Sequence, residues 1–312
     1  VVVATHNRAS RLRSLLDALS TQTVPSDSFE VIVVDDASTD GTPAILSDAQ
    51  AGGEGPLIRS LRAEANRGPA AARNLGWRST EAPLILFTDD DCVPTPGWIS
   101  AMLDAAASAP GAIVQGPVAP IPAEAHRRSP FTRTLEIDRL GPWYQTANIA
   151  YPRALLERHA GFAPDLRTGE DADMAWRAIE HGTDPVWAPR ALVHHAVHEL
   201  GFRGMLRLAW NWSDSVRAYR DHPGLRAAVF HKRVFWKGSH YLLVRALLGL
   251  AVRRRFPQLG GWLARPYFSS VVARQWRLEH GHPWHAPALV VRDVVEIAAM
   301  GRGSLRYRFP AL

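Results

Sequence analysis

Cysteine occurs once in 312 residues, at Cys92, so an internal disulfide and a zinc site built from several thiolates are both excluded. A lone thiol is compatible with a reducing compartment. A secretory leader is also missing: the chain opens VVVATHNR, already inside an apolar run, with no charged leader, h-region or cleavage site. The first residue is not Met, which leaves room for an upstream segment. The apolar stretch HYLLVRALLGLAV at 240–252 is broken by Arg245 and followed by Arg253, Arg254 and Arg255. It falls short of the roughly 20 apolar residues that a spanning helix needs. Zinc-finger, RNP-like and leucine-zipper patterns do not occur, which counts against a nucleic-acid binder. No glycine-rich loop follows the first apolar run, where ATHNR stands instead, and this counts against a nucleotidyltransferase. No internal repeat or low-complexity tract is present.

What is present is an ordinary folded composition, 46% hydrophobic and 21% charged, in a chain long enough for a substantial core. The net charge of +6 is unevenly spread. Residues 1–200 hold 17 Lys/Arg and 25 Asp/Glu, whereas residues 201–312 hold 19 and 5, giving −8 against +14. The basic part interleaves Arg with Trp, Phe and Leu, a pattern suited to an anionic surface or to a solvated helical face.

Short apolar strands alternate with helical periodicity along the first part. Residues 1–4 read as a buried strand, and Leu12, Leu15, Leu16 and Leu19 follow at helical spacing. Strands are expected at 31–34, near 57–61 and at 84–88, with helices from about Pro43 and across 69–80. This alternation predicts βαβ units and a mostly parallel sheet. Further strands are expected in IVQGPVAPIP at 113–122, leaving the sheet, and in TANIAYP at 146–152, with a helix at 170–181. Helical patterns dominate from Gly201, so a boundary is placed between residues 196 and 201.

Ligands of such sheets bind beyond the carboxyl ends of the strands. Thr5, His6 and Asn7, then Asp35 and Asp36, then Asp89, Asp90 and Asp91 all fall at strand ends. Three adjacent carboxylates repel one another, so the triplet is either a solvated turn or faces a metal ion or an arginine. Carboxylates suit Mg²⁺ or Mn²⁺, and ALVHH at 191–195 offers an imidazole. GEDADMAWR at 169–177 opens a helix with two carboxylates, where the dipole favours anions. Thr168, Gly169, Glu170 and Asp171 equally fit a capping box.

THNR, VVDDASTDGT, NRGPAAARNLG, DDDCVPTPGW, GEDADMAWR and ALVHH stand in the order and approximate spacing of the family 2 glycosyltransferases, which this sequence resembles over roughly residues 1–200. The resemblance implies a GT-A fold, an α/β architecture with a Rossmann-like, mostly parallel sheet. Residues 201–312 would form a mainly helical basic extension. It implies an inverting, metal-dependent glycosyl transfer from a nucleoside-diphosphate sugar to a glycan or lipid-linked acceptor, with Mn²⁺ or Mg²⁺ as cofactor. By the same resemblance, Thr5, His6, Asn7, Arg8 and Asp36 would hold the nucleotide, and Asn66, Arg73, Asp89 and Asp90 the rest of the donor. For Arg73 a structural salt bridge to the acidic cluster is the alternative. Asp89, Asp91 and His195 would bind the metal, His194 being the alternative imidazole; Asp171 would be the base and Glu170 an acceptor contact or helix cap. The glutamine-arginine-tryptophan signature of processive synthases is missing, which disfavours polymerisation. The expected setting is cytoplasmic, peripheral on the inner face of the cell membrane, in cell-envelope polysaccharide or glycolipid synthesis. An anionic membrane surface is the expected partner of the tail through Arg253, Arg254, Arg255, Trp262, Arg265, Arg274, Trp276 and Arg277, and no nucleic acid is expected.

Overall fold

Alternate residues of the strand EVIVVD enter opposite cores. Val31 and Val33 pack on one side of the sheet, Ile32 and Val34 on the other. A strand covered on both faces reads as a continuous apolar run, as this one does. The computed structural model describes residues 1–52, 55–275 and 282–312; Trp276 and Arg277 lie outside the described residues.

The strands, in chain order, are β1 (Val2–Thr5), β2 (Glu30–Asp35), β3 (Leu57–Arg62), β4 (Leu84–Phe87), β5 (Cys92–Pro94) and β6 (Ile113–Gln115). They continue with β7 (Val118–Pro120), β8 (Thr132–Arg133), β9 (Ile149–Pro152), β10 (Pro185–Trp187), β11 (Val193–His195) and β12 (His198–Glu199). The helices are α1 (Ala9–Ser20), α2 (Thr42–Ala51), α3 (Pro69–Arg78), α4 (Trp98–Ser108), α5 (Arg153–Arg158) and α6 (Glu170–Glu180). They continue with α7 (Gly201–Asn211), α8 (Ser215–Asp221), α9 (Pro223–Val229), α10 (Gly238–Val252), α11 (Pro257–Gln275) and α12 (Ala286–Tyr307).

Two compact units share the chain: Val1–Pro122 with Thr134–Ala196, and Ala123–Arg133 with Val197–Leu312. A single boundary between residues 196 and 201 assigns the segment Ala123–Arg133 to the first unit. Its strand β8 instead pairs antiparallel with β12 in the second.

The first unit is built on a seven-stranded sheet of order β10-β6-β9-β4-β1-β2-β3. β1, β2, β3 and β4 run parallel, and β9 is antiparallel to both β4 and β6. Leu12, Leu15, Leu16 and Leu19 of α1 are all buried on one face, while Ala70, Ala72 and Trp77 of α3 cover the other. Two expected strands are corrected. Residues 113–122 form two strands, β6 in the main sheet and β7 in a separate three-stranded sheet with β5 and β11, because the chain breaks at Gly116 and Pro117. Residues 146–148 form a 3₁₀ turn and only Ile149–Pro152 is extended.

The second unit is helical. α10 buries His240, Leu243, Ala246 and Gly249 at a three-residue rhythm, His240 against Glu296 of α12 and Gly249 against α11. The two helices close on each other at Gly249 and Gly260, where a Cβ on either would lie 2.7 Å from the other's carbonyl oxygen. α12 buries Leu289, Asp293, Glu296, Met300 and Gly303 along one stripe. Its two acids are paired: the Tyr267 hydroxyl donates to Asp293 at 3.1 Å, and Lys237 Nζ meets both oxygens of Glu296 at 2.8 Å. No described helix is long and apolar enough to cross a membrane.

Candidate active site

β1, β2 and β4 are neighbours, so the residues after their carboxyl ends converge although far apart in sequence. His195 reaches the same place by strand pairing. β11 lies antiparallel to β5 with His195 opposite Cys92, and the Ala196 N–H donates to the Asp91 carbonyl at 3.0 Å.

The three adjacent aspartates are accommodated in three ways. Asp89 accepts from Arg73 at 3.0 Å. Asp90 is buried, and burial together with the charge of Asp91 pushes its carboxyl up to about 7, against the 2.7 Å hydrogen bond from the Thr5 hydroxyl. Asp91 accepts from Arg8 at 3.0 Å through Oδ2, and its Oδ1 faces His195 Nε2 at 3.4 Å.

That last contact tests the metal assignment. A carbonyl can only accept, so the 2.7 Å contact between His195 Nδ1 and the Ala196 carbonyl makes Nδ1 the donor. Nε2 is then the ring atom turned toward Asp91 Oδ1, and imidazole and carboxylate stand side by side as a cation site would need them. Asp91, Cys92 and His195 each offer a ligand atom, all within 4.8 Å of one another. The Cys92 thiol is pushed well above its ordinary value, first by burial and then by Asp89 and Asp91, and sulfur is a soft ligand that Mn²⁺ and Mg²⁺ take less readily than oxygen or imidazole. Carboxylate and imidazole remain, a donor set that suits Mn²⁺ or Mg²⁺. Asp89 is turned to Arg73 and lies outside this group. His194 directs Nδ1 to the Pro120 carbonyl at 3.3 Å, away from Asp91's partner position.

Arg73 joins the acidic triplet to the start of α6. Its buried guanidinium contacts Asp89, Glu170 at 3.0 Å and Asp171 at 3.3 Å, and lies 5.8 Å from the centre of the Phe162 ring. Burial disfavours its charge, but the three carboxylates outweigh burial and raise its pKa. Asp171 also accepts from the backbone N–H of Thr146 at 3.1 Å and from its hydroxyl at 3.2 Å. Burial still pushes Asp171 above the usual carboxylate range, with Arg73 opposing and Asp89 adding to it. Its side chain stays 20% exposed. Glu170 is raised as well, by burial and by the charge of Asp171.

The capping box at 168–171 does not form. Gly169 is the N-cap residue at φ 88°, and no side chain caps the helix. A left-handed glycine lets the chain enter α6 with Glu170 and Asp171 on the site side. Asp173 is taken by Arg177 at 2.9 Å.

Of the residues expected to hold the nucleotide, Asn7 is a loop clamp: its Oδ1 accepts from the Thr39 N–H at 2.7 Å and the Asp40 N–H at 3.3 Å. His6 is exposed beside Asp36, with Nδ1 donating to the Asp36 carbonyl at 2.7 Å. The carboxylate of Asp36 accepts the N–H groups of Arg67 and Gly68 at 2.9 and 2.8 Å, tying the loop before α3 to the end of β2. Asn66 lies exposed in that same loop. Sequence reasoning missed Thr146, which it placed in a strand, and the nearness of the Cys92 thiol to the ligand pair.

Residues 1–165 match the family model described as glycosyl transferase family 2. The chain belongs to that family. It is 28% identical over 272 residues to the validoxylamine A glucosyltransferase of Streptomyces hygroscopicus subsp. jinggangensis, covering 74% of this chain and 62% of that protein. It is 31% identical over 214 residues to the pre-mycofactocin glycosyltransferase of Mycobacterium tuberculosis, covering 62% and 42%. The matched part thus spans less than two thirds of either relative's own length. Among solved structures, a mannosyltransferase from Pyrobaculum calidifontis in complex with GDP-Man and Mn²⁺ aligns over 98% of this chain and 86% of its own, at TM-score 0.62 and 21% identity. Staphylococcus aureus TarS 1–349 with UDP aligns over 98% and 90% at TM-score 0.52 and 18% identity. The first unit has the GT-A fold.

Proposed function

We propose that this family 2 chain transfers a sugar from a nucleoside-diphosphate donor to an acceptor hydroxyl with inversion, using Mn²⁺ or Mg²⁺. The acceptor is a glycan or a lipid-linked sugar of cell-envelope polysaccharide or glycolipid synthesis, met at the inner face of the cell membrane. The observation that carries the reading is the buried carboxylate and imidazole of Asp91 and His195, with Oδ1 and Nε2 at 3.4 Å, beside an acidic cluster that Arg73 links to Asp171.

Asp91 and His195 would hold the cation, and Asp89 would join them if Arg73 turned to the donor's oxygens. When bound there, a divalent cation would supply positive charge against the diphosphate leaving group. At the other end of the displacement, Asp171 takes the proton of the acceptor hydroxyl. The new bond forms between that oxygen and the anomeric carbon while the bond to the diphosphate oxygen breaks, and the nucleoside diphosphate departs with its electron pair. Arg73 and Thr146 keep the Asp171 carboxylate oriented. Glu170 borders the acceptor side, and His6, Asn7, Asp36 and Asn66 border the base.

Calorimetry with UDP and GDP tests this directly. Binding is expected with Mn²⁺, lost in EDTA and lost in Asp91→Ala, while that variant keeps the wild-type circular dichroism. Equal affinity with and without metal overturns the metal assignment. Inversion is read from the anomeric proton of the first product by NMR.

A further inference from the structure

The stretch from Gly238 to Gln275 contains six arginines and no acidic residue. It folds as the hairpin of α10 and α11, and its apolar residues divide unequally between inside and outside. Leu243, Ala246, Ala264, Tyr267 and Val271 form the internal core. Because the helices close on each other through Gly249 and Gly260, little space remains between them near the turn, and larger side chains there stand outward. Leu247 is 53% exposed, Leu248 59% and Trp262 64%, and Phe256 and Leu259 are also exposed.

Exposed leucines scattered singly need no explanation, but these five large apolar side chains are exposed within sixteen residues, on either side of the Gly249–Gly260 approach. The occupant of this surface is indicated by what surrounds it. Arg253, Arg254 and Arg255 occupy the turn itself, all exposed, and Arg265 stands exposed one turn beyond Trp262. Arg245 crosses from α10 to lie 4.3 Å from the Trp262 ring centre and donates to the Trp262 carbonyl at 3.2 Å. Tryptophan and arginine side by side, with leucine between, match the boundary between lipid headgroups and acyl chains. There an indole sits at the interface and long basic stems carry their charge to phosphate. A soluble protein partner would be matched by mixed charge; a surface with cations alone calls for an anionic one.

We infer that the turn-proximal half of the α10–α11 hairpin docks on an anionic phospholipid bilayer, lying on it without crossing. α10 has 15 residues and meets no criterion for a span. This deepens the membrane-face reading above and requires neither donor nor metal, so its test stands apart from the calorimetry.

The test is flotation with vesicles of phosphatidylcholine alone and of phosphatidylcholine with phosphatidylglycerol. Wild-type protein is expected to float with the mixed vesicles and to be released by high salt, since exposed charges are screened. Each basic side chain near such a surface contributes about a fivefold factor in partitioning. The combined Arg253→Glu, Arg254→Glu and Arg255→Glu variant therefore loses binding by about a hundredfold or more. Leu248→Ser with Trp262→Ser weakens binding to the same vesicles with unchanged circular dichroism. Flotation indifferent to lipid charge, or unaffected by the arginine reversals, overturns the proposal. So does a wild-type dimer in light scattering that Leu248→Ser with Trp262→Ser dissociates, because the patch would then be covered by a second copy.

Discussion

Asp171 carries opposing instructions. Burial raises its pKa, while Arg73 and the two donors of Thr146 lower it, and burial prevails. As a general base it must be deprotonated, so the rate falls as pH drops through its pKa. A raised value moves that acid limb above the ordinary aspartate range of about 4. The kcat/KM profile is expected to show this limb, and Thr146→Val, which removes the hydroxyl donor, to move it higher. Asp171→Asn is expected to retain metal-dependent nucleoside diphosphate binding and lose about 10²–10⁴-fold in transfer. Normal transfer in that variant places the base elsewhere. The acidic triplet and His195 were legible as candidates because they stand at the ends of short apolar segments; Asp171 was legible as one of two carboxylates opening a helix, its proposed part as base coming from the family resemblance. Thr146 was not, since nothing local distinguishes its hydroxyl from that of any other threonine in an apolar context. The role of Arg73 was legible only as two alternatives; its contacts with three carboxylates depend on α3 and α6 being brought together.

At the scale of elements, α3 matters because it delivers Arg73, and its approach to the sheet depends on Gly76. A Cβ there would lie 2.5 Å from Val2 Cγ1 and 3.2 Å from Val34 Cγ2, so α3 rests directly on β1 and β2. Gly76→Ala pushes the helix off two strands whose other faces are also packed. Overpacking of this kind costs about 1–3 kcal/mol, and a lowered melting temperature is expected together with weakened transfer, since Arg73 lies one turn before Gly76. Gly301, within α12, has open space around its Cβ position and no positive φ. Gly301→Ala is expected to stabilise by up to about 1 kcal/mol, the ordinary gain for a helix interior. Each variant is followed in its own unit, by hydrogen exchange of α3 amides for Gly76→Ala and of α12 amides for Gly301→Ala, and loss of protection in neither or in both would remove the packing explanation. Elements with a full run of period or apolarity, such as α1 and β2, were legible. The three-residue strands β6 and β7 and the 3₁₀ turn at 146–148 are shorter than any periodicity can register, and only pairing partners define them.

Across the whole chain the second unit was the less legible, because its two buried acids on α12 look in sequence like a solvated face. Glu296 is 3% exposed, with Lys237 at 2.8 Å and His240 at 3.1 Å. Burial alone would raise its pKa; the hydrogen bond from His240 and the charges of Lys237 and Arg292 outweigh burial and hold it to about 2. A carboxyl whose folded pKa is depressed contributes stability that is fully present above its unfolded value, near 4.5, and is lost as pH falls toward 2. Lys237 limits the net gain: its side chain is 37% exposed, yet burial lowers its pKa more than Glu296 raises it. The bridge is therefore worth less than the glutamate's shift alone suggests. Because Lys237 reaches water, losing Glu296 costs less than the roughly 3–5 kcal/mol that follows when a fully buried charge loses its partner. Glu296→Gln is accordingly expected to unfold at lower urea than wild type at neutral pH. The gap should narrow between pH 4.5 and 2 as the wild-type carboxyl takes up its proton and comes to resemble the amide. Because the chain has two units, the transition must be followed by a signal from the second, such as hydrogen exchange of α12 amides, rather than by a single midpoint. A gap that stays constant down to the acid limit would mean that Glu296 acts through shape and not through charge.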